Sequence, residues 1–267
     1  MIDVVTLTHN DDKELLLWQL YSIEQHLESC NFHIVINEDK IDTVLDYIKP
    51  TIDKIKNHSI TVWGRKDILS IDINKHGWWH QQLIKLLMPL KDNYIVLDCK
   101  DIFIKETSIA ELSLTNAINQ PNVVGCKTWG DFFEKMHMFI KDKFENDIDP
   151  KKLKGIQTPR LIKQDVRNKI LSFFNNDIDF INWFLEFDLP SEFILYDTVA
   201  LHMNIDDGER YPLTFHGSTW NQEMWEEEGF DTVKENTHMF KIHRRVYNNP
   251  SNKITIDNWL SKRVNSI

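Results

Sequence analysis

The sequence predicts an α/β fold: a mostly parallel central sheet flanked by helices, in a single domain spanning residues 1–267 with an elaborated helical C-terminal part. Three observations carry this. Apolar β-branched runs alternate with amphipathic helical patterns from residue 2 onward, and that β-α-β-α-β order implies a parallel sheet with right-handed crossovers. The run Tyr94-Ile-Val-Leu97 is apolar on both faces, as central parallel strands are. It then ends abruptly in charge, with Asp98, Lys100 and Asp101 preceding the renewed apolar run Ile102-Phe-Ile104. Charges packed into a buried strand are costly unless paired or bound to something. In open α/β sheets the carboxyl ends of strands are where ligands bind. The segment therefore reads either as an active-site edge or as a strand ending in a solvated acidic turn.

The other elements follow in order. Ile2 to Leu7 is a strand, broken by Thr8-His-Asn-Asp-Asp12. Leu16, Leu17, Leu20, Ile23 and Leu27 recur at spacings of three and four, predicting a helix from Lys13 to about Glu28. Phe32 to Ile36 is a strand, 41–55 a helix, and Ser59 to Val62 a strand. Trp63 to His76 is polar and irregular. A helix from Gly77 to about Leu90 carries Leu83, Leu86, Leu87 and Leu90 as its buried stripe, with Gln82 and Lys85 sharing one face. Beyond Lys105 the pattern predicts a strand at 122–126, a helix at 131–144 and a lid-like loop at 147–158. Pro159 opens a helix to about Phe174. Residues 178–187 are aromatic-rich and ambiguous. A helix capped by Ser191 runs to about Met203. A strand at 211–216, a short acidic helix at 220–228 and a last strand from Met239 to Val246 complete the chain.

Composition removes several function classes. The formal net charge of −10 over 267 residues argues against nucleic-acid binding, which needs a basic surface. Three widely spaced cysteines are neither a disulfide framework nor a zinc site and point to a reducing, cytoplasmic setting. No segment reaches the roughly 18 consecutive apolar residues of a transmembrane helix, and the N-terminus lacks a signal-peptide pattern. There is no G-x-G-x-x-G fingerprint, no Walker A sequence and no G-x-S-x-G elbow. The 9 Trp and 15 Phe fit broad half-wet pockets as well as core.

Several motifs converge on one chemistry. Val5-Thr-Leu-Thr-His-Asn-Asp11 resembles the opening strand of GT-A type sugar-nucleotide glycosyltransferases, especially the glycogenin-like branch, where it contacts the nucleobase. Leu97-Asp-Cys-Lys-Asp-Ile-Phe resembles that superfamily's L-D-x-D segment, whose carboxylates hold a divalent metal on the donor diphosphate. Gly77-Trp-Trp-His-Gln-Gln-Leu-Ile-Lys85 is similar to the G-W-x-x-Q-Q-L-x-K helix of a family of bacterial and phage glycosyltransferase-like proteins, as are Thr158-Pro159, Ser191-Glu-Phe-x-x-Tyr196 and His243-Arg-Arg245. The motifs spread from residue 5 to residue 245.

The resemblance implies a GT-A-like, Rossmann-like fold and transfer of a sugar from a nucleotide-diphosphate donor, a UDP-sugar being favoured, to an unknown acceptor. The alternative is a non-catalytic nucleotide- or carbohydrate-binding protein that retains the fold. Leu7, His9, Asn10, Asp72, Gln82, Lys85, Lys100 and Arg245 are expected at the donor, Trp79 and Tyr196 at the acceptor, and Asp98 and Glu192 as catalytic carboxylates. Asp98, Asp101 and His216 are expected to hold Mn²⁺ or Mg²⁺, hard ions that take carboxylate and phosphate oxygens. His243 competes with His216 for that role. The sequence departs from the motif at one place: the second metal-binding Asp falls at position 100, which is Lys. On a regular strand residues 98 and 100 share a face and 101 points away. Either the chain turns after Asp98 and brings Asp101 in, or Lys100 itself meets the diphosphate.

Overall fold

The structure, a computed structural model, describes residues 2–75, 77–114, 127–141, 148, 153, 158–188, 190–205, 216–219 and 221–265. A five-stranded sheet forms from β1 (Asp3–Thr8), β2 (Asn31–Ile36), β3 (Ser59–Gly64), β4 (Tyr94–Asp98) and β6 (Arg160–Ile162). Its order is β3-β2-β1-β4-β6, with β6 alone antiparallel to its neighbour. A second, three-stranded sheet joins β5 (Asp101–Phe103), β8 (Met239–Ile242) and β7 (His216–Thr219), in the order β5-β8-β7.

The helices in chain order are α1 (Lys13–His26), α2 (Asp42–Ile52), α3 (Gly77–Leu87), α4 (Ile109–Leu114), α5 (Lys127–Lys141), α6 (Gln164–Leu171), α7 (Asp177–Leu185), α8 (Glu192–His202), α9 (Gln222–Glu227), α10 (Arg244–Tyr247) and α11 (Pro250–Leu260). Alternation along the strands assigns the two faces of the main sheet. Val5, Leu7, Val35, Tyr94 and Val96 pack with α3, α5, α6, α7 and α8. Val4, Ile34, Ile36, Ile95 and Leu97 pack with α1 and α2. A third cluster joins Ile102, Phe240 and Ile242 of the small sheet to Val246, Ile256, Leu260 and Val264 of the C-terminal part.

From β1 the chain steps outward to β2 and β3, then returns to lay β4 on the other side of β1. This is a topological switch point, where the connections after two neighbouring strands diverge and open a crevice at their carboxyl ends. The register aligns those ends, pairing Thr8 with Ile36, Ile36 with Gly64 and Leu7 with Asp98.

Four expectations change. The segment after Pro159 forms β6 before α6, because three residues add an antiparallel edge to β4; Thr158-Pro159 is cis. The last strand stops at Ile242, and His243 caps α10 by accepting the Arg245 backbone N–H at 3.2 Å. Residues 178–187 are mostly helix α7, capped by Asn176, whose side chain accepts the Asp179 N–H. A further helix, α11, follows, with Asn249 as cap and Pro250 in its first turn. The expected strand at 122–126 and most of the lid-like loop at 147–158 lie outside the described residues, as does the expected strand at 211–216 apart from the backbone of His216.

Candidate functional site

The charged segment after β4 turns immediately. Asp101 folds its carboxylate back so that Oδ2 accepts the Asp98 backbone N–H at 2.8 Å and the Thr158 hydroxyl at 2.6 Å. The turn is also held from behind by Gln19 of α1, a residue that the sequence reading did not single out. Its Nε2 donates to the carbonyls of Asp98 (2.7 Å) and Asp101 (3.0 Å), and its Oε1 accepts from Thr6 at 2.8 Å. The signal for it was a polar residue on the apolar stripe of α1, between Leu16 and Leu20.

Two lysines bracket these carboxylates. Lys100 Nζ lies 3.1 Å from Asp12 and 3.4 Å from Asp98. Lys241 Nζ lies 3.1 Å from Asp101 and 3.7 Å from Asp98. It also donates to the Thr158 hydroxyl at 2.7 Å. Lys241 is the register partner of Asp101 across β5 and β8, so strand pairing itself sets this ion pair. It too escaped the sequence reading, although a lysine inside the apolar strand Met239-Phe-Lys-Ile242 is its mark. Asp101 is fully buried, whereas the Asp98 side chain is 32 % exposed.

Burial works to raise the Asp98 pKa, but Lys100, then Lys241 and Lys85, outweigh it and hold the carboxyl well below the usual range. Burial likewise opposes the Lys100 ammonium, and Asp98 in particular overcomes it, keeping Lys100 charged above the ordinary lysine range. Asp12, buried where α1 begins, is pushed up by burial and brought down further by its bond to His9 and by Lys100.

At the end of β1, His9 Nε2 lies 2.8 Å from Asp12 while Nδ1 accepts the Asp11 backbone N–H at 3.3 Å. The same Nε2 lies 2.9 Å from the Arg244 guanidinium, so the ring is held between a carboxylate and a cation. Arg244 reaches the same place, 3.1 Å from Asp11 and 3.8 Å from Asp12. Asn10 accepts from Lys13 at 3.2 Å and donates its backbone N–H to Glu38 at 3.1 Å. His243 sits beside Lys100, Arg245, Asp98 and Asp12. Its pKa is lowered, first by burial and then by Lys100, which keeps the ring neutral at pH 7.

On the other side of the crevice Lys85 of α3 meets Glu192 of α8 at 2.6 Å, and its ammonium lies 4.8 Å from the centre of the Phe193 ring. Beneath them Arg160 is ion-paired to Asp197, both buried. Burial raises the Glu192 pKa despite Lys85.

The structure thus gathers Asp98, Lys100 and Asp101 with His9 and Asn10, and brings the field of Lys85 onto Asp98. The other expected residues lie as follows. Leu7 is core, its side chain closed off by α-helical neighbours, so a nucleobase has no surface of it to meet. Tyr196 is completely buried, its hydroxyl accepting the Lys163 N–H at 2.8 Å, and so cannot touch an acceptor. Glu192 is 1 % exposed, with its Oε1 on Lys85, so it lies beneath the surface that an acceptor hydroxyl would meet. Gln82 is buried one turn before Lys85. Trp79 is half-buried, donating from Nε1 to the Phe187 carbonyl at 3.3 Å. Asp72 stands in solvent, with Lys66 at 3.9 Å, and Arg245 is exposed on α10. The His216 side chain lies outside the described residues.

The carboxylates fit a divalent metal poorly. Both Asp101 oxygens are engaged inward, one by Lys241 and the other by the Asp98 N–H and Thr158. Asp98 already faces two ammonium groups. Among the described residues no three His, Cys, Asp or Glu side chains converge as a metal site.

No protein-family model matches the sequence, and no curated protein matches it. Among solved structures the chain is similar to the galactosyltransferase LgtC in complex with donor and acceptor sugar analogues, with a TM-score of 0.53 and 9 % identity over 100 % of this chain and 97 % of that one. An active-site mutant of LgtC gives a TM-score of 0.54 over the same shares. The apo bifunctional glycosyltransferase WbbM gives 0.50 with 11 % identity, over 91 % of this chain and 45 % of that one. These likenesses show the fold: the chain has the mixed α/β architecture, with a mostly parallel central sheet, of the GT-A glycosyltransferases.

Proposed function

We propose that this protein transfers a sugar from a nucleotide-diphosphate donor to an acceptor. The observation that carries the reading is a cluster of lysines and carboxylates at the switch point of a sheet whose whole-chain relatives in structure include a galactosyltransferase solved with donor and acceptor sugar analogues. In such a transfer the bond from the anomeric carbon to the β-phosphate oxygen breaks and its electron pair stays on that oxygen. The acceptor oxygen bonds to the carbon, and its proton leaves to solvent. The charge gained by the diphosphate is what the site must meet. In this reading Asp98, Lys100 and Arg244 meet the diphosphate, His9 and Asn10 lie on the nucleoside side, and a UDP-sugar is the favoured donor. A setting in the cytoplasm fits the reduced cysteines, and among the described residues no helix is long and apolar enough to cross a membrane.

The test is hydrolysis and transfer with a panel of nucleotide sugars, with Asp98→Asn as the control. Release of nucleoside diphosphate from one donor, lost in the variant, is expected. If no donor is hydrolysed, transferred or bound at millimolar concentration, the reading fails. Binding without turnover favours the second reading, a nucleotide- or carbohydrate-binding protein that retains the fold, which the lysine at position 100 motivates.

A further inference from the structure

We propose that Lys100, backed by Lys241, takes the place of a divalent metal ion at the donor diphosphate, so that this site binds a nucleoside diphosphate without metal. The inference rests on the transferase reading above and adds the chemistry by which the phosphates are held.

Position is the first argument. Lys100 falls where the resembling motif has its second metal-binding carboxylate, and its ammonium lies between the ends of β1 and β4, against Asp12 and Asp98. That is the crevice of the switch point, where a diphosphate would enter. Availability is the second. An ammonium has three N–H donors, and among the described residues Asp12 and Asp98 take two. Of the three carboxylates here, Asp12 and Asp101 are buried, and Asp98 alone has substantial exposure. Lys100 can therefore exchange Asp98 for a phosphate oxygen while Asp98 stays bridged by Lys241 on its other side.

The two lysines divide the work. Lys241 is 5 % exposed and tied to Asp101 and Thr158, so it fixes the turn and does not reach ligand. Lys100 is more accessible, at 14 %, and meets the incoming charge. Charge closes the argument. Asp11, Asp12, Asp98 and Asp101 face Lys100, Lys241 and Arg244. A divalent ion added here would sit beside two ammonium groups, whereas a phosphate oxygen takes the N–H donor that Lys100 turns away from Asp98.

The experiment is calorimetric titration of the full chain with UDP, and with ADP, GDP and CDP beside it, first in EDTA and then in millimolar Mn²⁺ or Mg²⁺. The expected result is a Kd that changes less than threefold on adding either ion. Lys100→Ala is expected to weaken binding at least fivefold in both conditions, with its urea midpoint measured to show that it folds. Tightening of the wild-type protein by threefold or more with metal overturns the inference and leaves the transferase reading standing. So does a Lys100→Ala loss smaller than fivefold. Absence of binding of every diphosphate in both conditions overturns both. The wild-type comparison needs no variant, so a Lys100→Ala protein that fails to fold does not remove the test.

Discussion

At the residue scale the molecule concentrates its electrostatics on Asp98. Its carboxyl lies below the ordinary value in the folded chain, because Lys100, Lys241 and Lys85 outweigh burial, while in the unfolded chain it titrates near ~3.9. Between those two values the unfolded chain binds more protons, so stability rises with pH there. The contribution is fully present above about pH 4 and is lost as pH falls toward the folded value. Asp98→Asn removes it and leaves Lys100 with only Asp12 among these partners. The variant should therefore have a lower urea midpoint than wild type at pH 7, and the gap should narrow as pH falls below about 4. A gap that stays constant from pH 7 to pH 2.5 contradicts this account. The residue-level site was legible only in part. Asp98, Lys100 and Asp101 announce themselves as charge at the end of an apolar strand. Lys241 does not, because its partner lies 140 positions earlier and only the β5–β8 register reveals the pair. Tyr196 and Glu192 mislead for the opposite reason: helical spacing puts them on one face, but spacing does not say which face is buried.

At the element scale the two faces of the sheet and the order of its first strands follow from hydrophobic periodicity, and those elements form within a few residues of expectation. What periodicity misses are elements too short to carry a period. β6 has three residues, and its preceding proline reads as a helix start. α10 has four, and its cap is a histidine, outside the usual Ser, Thr, Asp and Asn set. α1 shows how an element can serve the site. Its buried face presents Gln19 to two turn carbonyls and Ser22 to the Phe103 N–H at 3.1 Å, so one helix face fixes where β4 ends and β5 begins. Gln19→Ala strands the Asp98 and Asp101 carbonyls and the Thr6 hydroxyl behind the turn. Each buried group left unpaired costs about 1–3 kcal/mol, and relaxation or a bridging water recovers part of it, so a loss of about 2–4 kcal/mol is expected. Urea unfolding measures it, and a variant within 0.5 kcal/mol of wild type, on the order of a neutral surface change, would show that the clamp contributes nothing.

At the scale of the whole molecule, the candidate site depends on a C-terminal region distant from it in sequence. β8 carries Lys241 to Asp101, and α10 carries Arg244 to Asp11 and Asp12. The apolar backing of both is the third cluster, to which α11 and the residues after it contribute Ile256, Leu260 and Val264, all fully buried. Asp257 adds a polar tie, accepting from the Trp18 indole at 2.9 Å and the Tyr247 hydroxyl at 2.8 Å, so α11 is fastened to α1 and α10 together. Burial of three such aliphatic side chains is worth about 5–9 kcal/mol, which is comparable to the whole stability of a typical domain, about 5–15 kcal/mol. Removing residues 250–267 should therefore abolish the cooperative urea transition and, with Lys241 no longer held, nucleotide binding. Leu260→Ala is the graded form of the same test, expected to lower stability by about 2–5 kcal/mol while leaving the diphosphate Kd of the still-folded protein within about twofold, because Leu260 touches the strand from behind and no ligand. A truncated chain that unfolds at the wild-type midpoint and still binds nucleotide would show that the small sheet holds Lys241 in place without the helix behind it.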